Sequence, residues 1–125
     1  MKTLPFVIAL IFMISSCKKA EVQKDEIKYE IVSSQYAPMT ISYTNQFGND
    51  NSEDFTGSSW TKTVDASQAD QFYVFCTQDV SQIIGTHTIT VRIYYKGELV
   101  DEVTNDVTNT ADFGTSISGD AWYYK

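Results

Sequence analysis

The sequence predicts an all-β protein, an antiparallel β-sandwich of seven to eight strands, with a small barrel as the alternative. Three observations carry this. Short runs of alternating apolar and polar residues recur along about 100 residues, clusters of turn-forming residues separate them, and beyond the leader no window of eleven or more residues carries helical apolar spacing.

Residues 27–34 place Ile27, Tyr29 and Ile31 against Lys28 and Glu30, the period of a half-buried strand. Residues 39–46 put Met39, Ile41 and Tyr43 on one face and Thr40, Ser42 and Thr44 on the other. Phe47 to Ser52 is a turn cluster, rich in residues that tolerate positive φ. A short strand follows over 59–64, centred on Trp60, and 65–70 suits a tight turn or a single helical turn that Asp65 can cap. Residues 71–77 are the most apolar run, as a strand buried on both sides or central in its sheet would be. Residues 86–95 alternate strictly, Lys96-Gly97 supplies a two-residue turn, and 98–104 returns as the second strand of a hairpin. Strands near 107–113 and 120–124 complete the count.

The chain starts differently. Lys2, the apolar stretch Leu4 to Ile14 and the small residues after it have the layout of a secretion signal. At about 1.5 Å per residue the stretch spans roughly 16 Å, short of the 30 Å or so of a bilayer core. Ile14-Ser15-Ser16-Cys17 resembles the bacterial lipobox, and that resemblance implies cleavage before Cys17 and a thioether to diacylglycerol, with acyl chains such as palmitate holding the protein to a bilayer. The expected organisation is a signal peptide over 1–16, a lipidated tether over 17–26 and a β-sandwich domain over 27–125. The tether is polar and charge-neutral, whereas from Ile27 onward 5 Lys and Arg face 13 Asp and Glu, a net −8. An acidic body of this kind stands clear of anionic headgroups. With Cys17 lipidated, Cys76 has no disulfide partner and reads as a small buried hydrophobe.

The whole chain has a net charge of −7, which removes nucleic acid as a partner. A single His and no G-x-S-x-G elbow leave no hydrolase constellation, so no enzyme and no cofactor beyond the covalent lipid are expected. His87 shares the apolar face of Ile89 and Val91, a structural position. Asp50, Glu53 and Asp54 are weak candidates for a calcium loop. The EF-hand count from Asp50 puts Phe55 where Gly is needed and Thr61 where Glu is needed, so that match fails and no metal is expected. Tyr94, Trp122, Tyr123 and Tyr124 are the candidate binding residues, because adjacent aromatics on a strand point to opposite faces and leave one of each pair exposed.

Tyr29-Glu30-Ile31, Ile41-Ser42-Tyr43, the stretch Ser59 to Thr63 around Trp60, and Ile89 to Tyr94 followed by Lys96-Gly97-Glu98-Leu99-Val100 together resemble the MmpS family. These are small mycobacterial membrane proteins that accompany lipid and siderophore exporters. The resemblance covers about residues 27–113 and implies an immunoglobulin-like sandwich and a transport-accessory role. Three features depart from the family: a lipobox in place of a transmembrane helix, Ser59 in place of a proline, and Val91-Arg92-Ile93 where the family has a cysteine of its pair. Small lipoproteins of Bacteroidota with a Cys-Lys-Lys start are also similar. The expected function is a non-catalytic interaction or transport-accessory module of the cell envelope, lipid-anchored at the outer membrane or cell surface. It would be a monomeric domain with an envelope transporter or assembly protein as partner. The alternative is a binder of a small ligand: a lipid, siderophore or glycan.

Overall fold

The computed structural model describes residues 24–125. The predicted lipidation site Cys17 and the leader lie outside the described residues. Six antiparallel strands follow in chain order: β1 (Glu26–Thr44), β2 (Asp50–Asp65), β3 (Gln71–Gln78), β4 (Gly85–Tyr95), β5 (Glu98–Asn109) and β6 (Ile117–Tyr124). They form one sheet in the order β5-β4-β1-β3-β6, with β2 also on β1. Among the described residues no helix is long and apolar enough to cross a membrane.

The strand count is lower than the predicted seven or eight because neighbouring segments fuse. Residues 27–34 and 39–44 belong to β1, and of the strand expected near 107–113 only 107–109 form, as the tail of β5, with an isolated bridge between Thr110 and Phe113 after it. The run 49–54, expected as a loop, is mostly strand: β2 starts at Asp50 and pairs with β1 along almost its whole length.

β1 is bent. Its first half, 27–33, pairs with β4 on one edge, and its second half, 39–43, pairs with β3 on the same edge. The bend falls between Val32 and Ala37, where residues 33–36 of β1 stand opposite Ser58 alone. Such an insertion frees backbone groups from the ladder and turns the strand. Gln78, fully buried at the end of β3, takes up the freed groups: its Nε2 donates to the carbonyls of Gln35 (3.0 Å), Ala37 (3.2 Å) and Gly57 (3.1 Å), and its Oε1 accepts from Ser33 Oγ.

The bend folds the sheet over one core. Tyr29 and Ile31 from one half meet Met39, Ile41, Val74 and Ile89 in a single cluster of buried side chains, each such residue contributing roughly 1.5–3 kcal/mol. Tyr43 sits between Tyr29 and Trp60, 5.6 Å from each ring. The polar ends of these aromatics are satisfied, Tyr29 by the Thr44 carbonyl (2.7 Å) and Trp60 by Glu53 Oε1 (2.6 Å). β6 lies across β4 and comes close to it at Gly119, where a Cβ would stand 3.0 Å from Val91 Cγ2, a tight contact. The sheet nearly closes into a barrel at β5 and β6, whose seam is made by side chains: Asn105 Nδ2 donates to the Ser118 carbonyl (2.7 Å), and the Trp122 amide donates to Asp101 Oδ2 (2.8 Å).

The predicted hairpin forms as expected, with Lys96 at φ 50° and Gly97 at φ 80° between β4 and β5, the two positive values that a type I′ turn requires. Asp65 closes the turn between β2 and β3 by accepting from the Ser67 amide at 2.8 Å. Asp25, one residue before β1, accepts from the Tyr95 hydroxyl (2.8 Å) and from Lys125 Nζ (3.2 Å), so both ends of the described chain meet at one pole.

Candidate interaction face

Each strand presents alternate residues to the core and to the outside, so the outward set of β3 is Tyr73, Phe75 and Thr77 and that of β6 is Ser118, Asp120, Trp122 and Tyr124. Register brings them together: Gln71 faces Tyr124, Tyr73 faces Trp122 and Phe75 faces Asp120. The result is an aromatic row on the outer face of β3 and β6. Phe75 is 41% exposed, Trp122 49% and Tyr124 62%, although each is large enough to fill a core position.

The row is held in place from below and from the side. Tyr73 and Trp122 stack at 5.1 Å between ring centroids and 27° between planes. Trp122 Nε1 donates to Asp120 Oδ2 (2.8 Å), and the Tyr73 amide donates to Thr44 Oγ1 (3.0 Å). Burial, then the Asp50 carboxylate beside it, raises the Tyr73 hydroxyl above the usual phenol range, so it stays a neutral donor. Beyond Phe75 the same side of the molecule opens into a cleft of ≈ 610 Å³, lined by Thr40, Thr56, Thr77, Ser81, Ser116, Asp54 and Asp79 together with Pro38, Met39 and Phe55. Asp79 Oδ1 accepts from the Ser81 hydroxyl (2.6 Å) and amide (3.2 Å), which holds its carboxyl below the ordinary aspartate value.

The four aromatic residues singled out in the sequence separate. Trp122 and Tyr124 lie on this face. Tyr123 turns the other way and packs on Tyr95, 5.2 Å between rings. Tyr94 sits on the outside of the other half of the sheet, with Lys28 Nζ 5.1 Å above its ring and Glu30 Oε1 3.3 Å from its hydroxyl. The sequence reading missed Tyr73 and Phe75, because 71–77 reads as apolar on both sides. The structure corrects that: β3 is central, as expected, yet only Phe72, Val74 and Cys76 of the run are buried. Aromatic residues within a run that also holds a complete inward set were the available signal.

The other sequence candidates are placed as follows. Glu53 turns toward Trp60 and lies 3.7 Å from Lys62, while Asp54 takes a 3.4 Å bond from Thr40 on the opposite face of β2. Among the described residues no group of three or more His, Cys, Asp or Glu is arranged to hold a metal ion. His87 is buried with Nε2 2.7 Å from the Ile83 carbonyl, which it satisfies as a donor, while its Nδ1 has no hydrogen-bond partner. The Cys76 thiol lies 3.7 Å from Met39 Sδ, and burial pushes its pKa up to about 12, so it carries no thiolate near neutral pH.

No protein-family model matches the chain, and no curated protein matches it either.

Proposed function

We propose that the protein is a lipid-anchored, non-catalytic interaction module of the cell envelope, tethered through Cys17 and engaging its partner with the outer face of β3 and β6. One observation carries this reading: Phe75, Trp122 and Tyr124 stay on the outside of a domain whose core is already filled by other side chains. Exposed aromatic clusters of this kind are surfaces for recognition. The cleft beside them is open and lined mainly by polar groups, a poor receptacle for a lipid tail or an apolar siderophore. The resemblance to MmpS proteins supports an accessory role, and in this reading the folded-over sheet is a variant of the immunoglobulin-like sandwich. Localisation at the outer membrane or cell surface belongs to the same proposal.

The test is photo-crosslinking in cells. A photoreactive residue at Phe75 of the full chain should give an adduct, a discrete band for a protein partner and a smear for a polymer, and one at Thr61, exposed on the other half of the sheet, should give neither. A fatty-acid analogue should label the parent and not Cys17→Ser, which should leave the membrane fraction. Equal adducts from both positions, or label persisting in the variant, would refute the corresponding half of the proposal.

A further inference from the structure

Resting on that reading, we propose that the partner of this face is an uncharged polysaccharide, its sugar rings seated on the aromatic row and its hydroxyls bonded by the carboxylates and hydroxyls around it. The charge pattern comes first. The outward residues of β3, β6 and the adjoining halves of β1 and β2 include Asp50, Asp54 and Asp120, with Ser and Thr between them, and no Lys or Arg. The strand-borne cations Lys28 and Arg92 lie on the other half of the sheet, and the Lys62 ammonium is turned to the inward side against Glu53 and the Tyr43 ring. A phosphorylated or uronic-acid partner meets three like charges here and no counter-charge.

The chemistry of the row selects further. An apolar protein surface would cover Asp120 and Asp54 without supplying donors, and buried carboxylates without partners are costly. A neutral polyol answers both needs at once. Its C–H faces lie on aromatic rings, and its O–H groups donate to carboxylates in charge-assisted bonds. The carboxylates already take bonds from neutral donors, Asp120 from Trp122 and Asp54 from Thr40.

Geometry favours a chain over a single sugar. From the Gln71–Tyr124 pair to the Gln78–Ile117 pair the face runs about 23 Å at roughly 3.3 Å per residue, then continues into the cleft by Thr77 and Asp79. The Tyr73–Trp122 stack fixes the track near its Gln71–Tyr124 end, so little side-chain freedom is lost there on binding.

Native affinity gels test the proposal on the full chain in detergent. The gels contain laminarin, xyloglucan, amylopectin or galactomannan, with the anionic polymer alginate as control and polylysine as a cationic competitor. At least one neutral polysaccharide should retard the protein and alginate should not. Phe75→Ala and Trp122→Ala should each weaken retardation by roughly two- to thirteenfold, the scale of one lost stacking contact, with circular dichroism and urea midpoint kept. Thr61→Ala should change nothing, and retardation should persist between roughly 0.05 and 0.5 M salt, where exposed charges are screened. Absence of retardation in every neutral gel overturns the proposal, as does retardation untouched by both aromatic variants. Displacement by polylysine with loss of binding at high salt overturns it in favour of a basic peptide. A discrete protein adduct from position 75 without any retardation rejects the polysaccharide alone and leaves the interaction module standing.

Discussion

Replacing Gln78 by Leu tests the corner on which the whole fold turns. Leu is one heavy atom shorter than Gln and cannot hydrogen-bond, so at this fully buried position the substitution removes the hydrogen bonds and adds a small void to their loss. It takes donors from the carbonyls of Ala37 and Gly57, both beside buried residues, and the acceptor from the Ser33 hydroxyl. Each orphaned buried group costs about 1–3 kcal/mol, so three give a loss of at least roughly 3 kcal/mol. The domain has about 5–15 kcal/mol in total. With a urea dependence of about 1–3 kcal/mol per molar, the midpoint should fall by at least roughly 1 M. Ser33→Ala in the same background should add less than it does alone, because its partner is already gone, and a coupling of about 0.5–3 kcal/mol is expected between contacting groups. An unchanged midpoint, or strict additivity of the two substitutions, would show that Gln78 does not hold the bend.

Trp60→Ala should cost about 3–5 kcal/mol in urea unfolding, since the ring is 6% exposed and closes the stack on Tyr43; a midpoint like the parent's would place it outside the core. The Tyr95 hydroxyl, hydrogen-bonded to the Asp25 carboxylate, is pushed up to about 12. Its stabilisation is therefore complete below the unfolded tyrosine value near 10 and is lost as pH rises through about 12. Tyr95→Phe should flatten the fall in stability across that window, and an identical slope would refute the coupling. In the native state Cys76 should resist a maleimide at neutral pH and react once urea is added; rapid native labelling would contradict its burial.

The alternation of Ile27, Tyr29 and Ile31, the inward set Met39, Ile41 and Tyr43, and the Lys96-Gly97 turn were legible in the sequence because each is written within a few residues. The continuity of β1 was not. Ser33 to Tyr36 break the alternation and Pro38 follows, which reads locally as a gap between two strands. The residue that carries the chain through the gap, Gln78, comes from another strand. The first half of β2 was hidden for a related reason: Asp50 to Asp54 carry no apolar period, and only the ladder to β1 makes them a strand. Half of the candidate face was visible in Trp122 and Tyr124. Tyr73 and Phe75 were masked by Phe72, Val74 and Cys76, since a run apolar on both sides does not disclose which side meets water.

The placement of β1 makes the domain mechanically unequal at its two ends. Past residue 24 the chain runs directly into a strand gripped along both edges, by β2 on one side and by β4 and then β3 on the other. A pull along β1 from that end loads both ladders in shear, many hydrogen bonds together. A pull at Lys125 meets β6, which has a backbone ladder to β3 alone and side-chain bonds on its other edge. In the proposed anchored arrangement, drag on a partner would act through the amino-terminal end on the strand hardest to extract, and the first element to yield under tension at the carboxyl end is β6, which carries Trp122 and Tyr124.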